Sequence, residues 1–130
     1  MSSWRECSDE SPTVVWPVEL ELLDWVEPVV VTMSWSHNDP YAVGLRFPGD
    51  DGVYWLVARD LLASGLSGPA GLGDIAVFPD LANADCLELV LSSPDGAIAL
   101  RIARAELAAF LDATYGHVPA GAEVQPSHFA

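Results

Sequence analysis

The sequence contains no lysine. Its positive charge comes from five arginines, Arg5, Arg46, Arg59, Arg101 and Arg104, set against 19 acidic residues, for a formal net charge of −14. That shortage excludes a great deal. Nucleic-acid binding draws most of its affinity from cations that displace counterions along the phosphates. Anionic membrane surfaces repel a chain of this sign. A solvated acidic surface is the ordinary consequence, and attraction for a partner with a basic patch is the functional one. Cysteine is also scarce. Cys7 and Cys86 are too few for a disulfide framework and read as two reduced thiols of a cytoplasmic protein. No apolar run approaches the ~20 residues a membrane helix needs, and "MSSWRECSDESP" has neither the basic nor the apolar region of a secretory signal.

Core material is plentiful by contrast. Apolar residues make up 51% of the 130 positions and include five tryptophans, enough for one domain that buries roughly two thirds of its unfolded surface. Residues 1–16 read as a flexible acidic segment, 17–118 as the domain and 119–130 as a tail without periodicity.

Alternation at period two marks most of the chain. "VELELLDW" sets Val18, Leu20 and Leu22 against Glu19 and Glu21. "VVVTMSW" is a β-branched run with Val29, Val31, Met33 and Trp35 in phase, and "SHNDP" after it is turn chemistry. "DPYAVGLRF" places Tyr41, Val43, Leu45 and Phe47 on one face, and "VYWLVA" does so with Val53, Trp55 and Val57. "RDLLASGL" predicts a helix of about two turns, stopped by Gly65, Gly68 and Pro69. "GDIAVFP", "CLELVLSS" and "AIALRIA" predict three further strands. "RAELAAFLDATYG" carries Leu107, Phe110, Leu111 and Thr114 at helical spacing, with Gly116 to close it. The expected fold is therefore α+β, with about seven strands and two helices in the order ββββα-βββα, built from antiparallel sheets that bury one face each.

Catalytic and ligand motifs are missing. The glycine-rich loop "GLSGPAGLGD" follows a helix and precedes a strand, the reverse of a phosphate-binding loop, and has no lysine. His37, His117 and His128 sit in turns or tail without zinc-motif spacing. No serine stands in a Gly-x-Ser-x-Gly elbow, and the paired carboxylates Asp50–Asp51 and Glu19/Glu21 occupy a turn and an outer strand face. The expectation is no enzyme, no metal and no cofactor. Trp35 and Trp55 belong to the core by phase. Trp16 and Trp25 border the Glu-rich first strand and divide evenly between core and interface. Trp16, Glu19, Glu21 and Trp25 are thus the candidate partner or subunit surface.

Read in order, "DPYAV" (39–43), "LVARDLLASGL" (56–66), "GPAGLGDIAVFP" (68–79) and "LSSPDGAIALRIARAELAAFLDATYGHVPAGAE" (91–123) resemble the SsgA-like family of sporulation and cell-division regulators of filamentous actinobacteria. The resemblance spans residues 18–123. It implies a whirly-like body of two antiparallel sheets forming a barrel-like structure with helices. It also implies a trimeric, non-enzymatic regulator of septum placement or maturation. Its expected partners are cell-division proteins, among them the tubulin-like division protein and related family members, and its expected location is the cytoplasm with recruitment to septa. The whirly-like fold raises single-stranded nucleic-acid binding as the alternative, which the charge opposes.

Overall fold

The computed structural model describes residues 12–22, 28–49 and 53–122. Ten elements follow one another along the chain. These are β1 (Val14–Leu22), β2 (Pro28–Ser36), β3 (Asp39–Arg46), β4 (Tyr54–Ala58), α1 (Arg59–Ser67), β5 (Ala70–Leu72), β6 (Ile75–Pro79), β7 (Cys86–Ser93), β8 (Gly96–Ala103) and α2 (Arg104–Tyr115). The strands form one antiparallel sheet in the order β4-β3-β2-β1-β8-β7-β6-β5, curled into a half-barrel whose inner face the two helices fill.

This is the expected α+β class, with two differences. An eighth strand lies inside the glycine-rich loop, where Ala70–Leu72 pairs with Ile75–Val77. The turn between them carries Gly73 at φ 61°, a left-handed conformation glycine adopts without strain. Three residues with a glycine in the middle show no alternation, so the periodicity could not reveal the strand. The two expected sheets are also two four-stranded halves of a single sheet. Among the described residues they meet through two register pairs, Glu21 with Arg101 and Leu22 with Leu100.

β1 begins at Val14, earlier than the expected domain start at residue 17. Pro17 lies within it, opposite Thr32 of β2. A proline has no N–H for a ladder, and it is accommodated here because β1 pairs with β8 only further along, at Glu21 and Leu22.

Most of the in-phase residues named above build the core. Val53, expected on the face of Trp55 and Val57, is instead 46% exposed just ahead of β4, and Trp55 is half-buried against the core. Val18, Leu20, Val31, Met33, Trp35, Val43, Leu45 and Val57 are all buried, as are Leu107, Phe110, Leu111 and Thr114 on α2. Tyr41 is the exception in its strand, at 38% exposed, and Gly116 caps α2 in right-handed conformation through an N–H bond to the Asp112 carbonyl. Trp35 donates from Nε1 to the Pro40 carbonyl at 3.0 Å.

Arg59 opens α1 and is completely buried. Its guanidinium lies between the rings of Trp35 and Tyr115, 5.3 and 4.7 Å from their centroids, and donates to Thr114 Oγ1 at 3.2 Å. Stacking on two π faces is a known home for a weakly hydrated guanidinium. It joins β2, α1 and α2 at one point. Arg104, the first residue of α2, donates to the Leu66 and Ala84 carbonyls, giving the last turn of α1 the cationic partner that its own sequence lacks.

Candidate protein-interaction surface

Alternation along β1 turns Val14, Val18 and Leu20 inward and leaves Glu19 and Glu21 on the outer, solvent-facing side. Glu21 stands opposite Arg101 of β8 and accepts a hydrogen bond from its Nη1 at 2.9 Å. Arg101 Nε donates to Asp80 Oδ2. Asp80 ends the β6 side of the β6–β7 loop and is 8% exposed. It also accepts the Ala82 N–H at 2.8 Å. The Arg101 hydrogen bond, followed by that of Ala82, holds the Asp80 carboxyl below the usual carboxylate range, and the two acids push the Arg101 guanidinium up. Glu19, Glu21, Asn83, Cys86, Arg101 and Ala103 line a shallow depression over this seam.

The candidate residues named from the sequence divide between faces. Glu19 and Glu21 share the outer side of β1. Trp16 lies on the other side, half-buried, with its ring edge-on to Phe110 at 6.3 Å and its Nε1 donating to Glu106 Oε1 at 2.9 Å. It fastens β1 to α2. Trp25 falls outside the described residues, as do Cys7, His128, Asp50 and Asp51.

A second outer face was not legible in the sequence. Cross-strand register sets Val15, Ser34, Gly44 and Leu56 in one row over β1 to β4, and Pro17, Thr32, Arg46 and Tyr54 in the next. Val15, Tyr54 and Leu56 are 54%, 47% and 59% exposed. The hydroxyl end of Tyr54 lies over Gly44. A Cβ at position 44 would come 2.7 Å from Tyr54 Cζ and 2.9 Å from Ser34 Oγ, so only glycine leaves room for the ring. The Arg46 guanidinium covers Tyr54 at 4.9 Å from the ring centroid. The segment "VYWLVA" is apolar in both phases, so the set opposite Trp55 and Val57 carried no local mark of an exposed surface.

The remaining candidates have local roles. Ala70–Leu72 of the glycine-rich loop is a strand rather than an anion cradle. His37 accepts from or donates to Thr13 Oγ1 through Nδ1 at 2.8 Å, tying the start of the described chain to the β2–β3 turn. The His117 ring lies tilted beside that of Trp35, with centroids 6.0 Å apart. Among the described residues no three His, Cys, Asp or Glu side chains come together as a metal site, and no helix is long and apolar enough to cross a membrane. The four described arginines are dispersed, Arg59 in the core, Arg101 in the seam, Arg104 on carbonyls and Arg46 on Tyr54.

A curled antiparallel sheet with two helices on its inner face, presenting its outer faces to solvent, defines a small β-rich scaffold. Comparison with known proteins gives that scaffold a family. The model of SsgA, the Streptomyces sporulation and cell division protein, matches residues 29–123. The sporulation-specific cell division protein SsgB of Saccharopolyspora erythraea is 43% identical over 98 residues, covering 74% of this chain and 70% of that one. SsgB of Frankia casuarinae is 41% identical over 99 residues, covering 74% and 69%. The crystal structure of an SsgA-like sporulation-specific cell division protein from Thermobifida fusca superposes with a TM-score of 0.77 at 37% identity, over 87% of this chain and 88% of that one. The chain belongs to the SsgA family of sporulation and cell division proteins.

Proposed function

We infer that this protein is a non-enzymatic regulator or adaptor of sporulation-specific cell division, acting on septum placement or maturation through protein–protein contacts. The observation that carries the reading is the family match over residues 29–123, with relatives named for sporulation-specific cell division. The surface chemistry is consistent with it, since the outer faces offer exposed carboxylates and exposed apolar side chains, the material of protein interfaces. Its partners are cell-division proteins, the tubulin-like division protein or related family members, and it works as a homo-oligomer, trimer favoured, at division septa. Glu19 and Glu21 supply part of a partner or subunit surface.

A fluorescent fusion imaged in the native sporulating cell tests the reading: it concentrates at septa, whereas an even distribution through the cytoplasm throughout sporulation opposes it. Light scattering on the purified chain tests the oligomer, and a strict monomer removes it. Glu19→Lys isolates the surface, because Glu19 makes none of the seam bonds that Glu21 makes. It weakens association while thermal melting is unchanged.

A further inference from the structure

The curled sheet has two edges, and they are built differently. β5 is three residues long, contains Gly71 and follows Pro69, the short, interrupted form by which proteins blunt an edge. β4 has no such protection. "YWLVA" contains no charge, proline or glycine, pairs only with β3 among the described residues, and exposes Tyr54 and Leu56 on its outer side. The unpaired side of its backbone is a template for another strand.

The charge beside this edge is unusual for the molecule. In the two rows formed by Val15, Ser34, Gly44 and Leu56 and by Pro17, Thr32, Arg46 and Tyr54, the single charged residue is Arg46. A chain with a formal charge of −14 therefore carries an arginine among apolar side chains next to its unprotected edge. Glu19 of β1 begins the following row, and Asp39, at the opposite end of β3 from Arg46, lines the depression that Gly44, Tyr54 and Leu56 share. Among the described residues Arg46 contacts the Tyr54 ring and no carboxylate. Tyr54 is in turn fixed over Gly44, so the platform exists before anything binds, and little side-chain ordering remains to be done on association.

We propose that the β4 edge, with Arg46, Tyr54 and Leu56, is a docking site for an extended segment of a partner protein that alternates apolar residues and carries a carboxylate. The segment adds as a strand beside β4, its backbone pairs with the free side of Tyr54–Ala58, its apolar side chains lie along Tyr54 and Leu56, and its carboxylate reaches Arg46. This deepens the adaptor reading and rests on it only in taking the occupant to be another protein.

The probe is a displayed library of random peptides of about nine residues, somewhat longer than a typical strand, selected on the purified full chain. Enriched sequences alternate apolar residues and contain Asp or Glu. A labelled synthetic peptide of the leading sequence loses about tenfold or more in affinity on Arg46→Glu, as removal of one partner of a charge pair does, and loses binding on Leu56→Lys. Replacing its acid by lysine recovers binding to the Arg46→Glu protein. Amide exchange in Trp55–Val57 slows when the peptide binds. Both variants change exposed positions, and their melting temperatures verify the fold. Enrichment of basic peptides, no enrichment, or equal binding to Arg46→Glu overturns the proposal. So does protection of the β4 amides that rises with protein concentration alone, which makes a second copy the occupant. Septation defects on loss of the gene, with no peptide selected, leave the adaptor role standing and sink this site.

Discussion

Arg101 Nη1 lies 2.9 Å from Glu21 Oε1, at the junction where, among the described residues, the two halves of the sheet meet. The same guanidinium holds Asp80 at the root of the β6–β7 loop. One side chain thus joins β1, β8 and the loop that rims the outer depression.

The Asp80 carboxyl titrates below its ordinary value, so the folded state binds its proton less readily than the unfolded chain. Its contribution to stability is in full effect above the unfolded value, about 3.9 for an aspartate, and disappears as pH falls through the lower folded value. Urea midpoints measured between pH 7 and pH 2 fall on the acid side for the wild type, and Asp80→Asn flattens that limb. Equal acid slopes in the two proteins contradict the clip.

Gly65 packs α1 against β6. A Cβ there would lie 2.7 Å from Val77 Cβ, and closer still to Val77 Cγ1. Gly65→Ala is expected to cost about 1–3 kcal/mol through overpacking, despite alanine's better helix propensity. Val77→Ala in the same chain recovers part of that loss, and a double-mutant cycle by urea unfolding measures the coupling.

Arg59 is expected to resist replacement by lysine. The stacked guanidinium between Trp35 and Tyr115 becomes a compact, strongly hydrated ammonium in a buried site, at a cost of about 1–3 kcal/mol from lost cation–π contact and poorer solvation. Urea unfolding monitored by circular dichroism checks it.

Trp16→Phe removes the bond to Glu106 while keeping an aromatic ring near Phe110. The expected loss is about 0.5–1.5 kcal/mol of stability, with the oligomeric state unaltered in light scattering. A change of association without a change of stability would place Trp16 in an interface instead.

Much of this architecture was written in local pattern. Leu107, Phe110, Leu111 and Thr114 emerged as the buried stripe of α2 because helix phase is set within a few residues. Val43 and Leu45 were legible for the same reason at period two. What escaped depends on distant contacts. Arg59 follows an apolar strand and has no local signal of burial, since Trp35 and Tyr115 come from elements far along the chain. Glu19 and Glu21 were recognisable as an outer face, but the tie of Glu21 to Arg101 arises from a pairing of the first strand with the last. Trp16 shared a segment with those glutamates and turned inward because its phase matches Val18, and α2 supplies the partners Phe110 and Glu106. Tyr54 and Leu56 fell on the phase opposite Trp55 and Val57, but as apolar residues in an apolar run they carried no local sign of being surface.

The most direct measurement is the pattern of septa in the native host after removal of this gene, imaged through sporulation. The account predicts missing, misplaced or immature sporulation septa, restored by the wild-type chain and poorly by a stably folded Glu19→Lys chain. Regular septa and normal spores in the absence of the gene would contradict it.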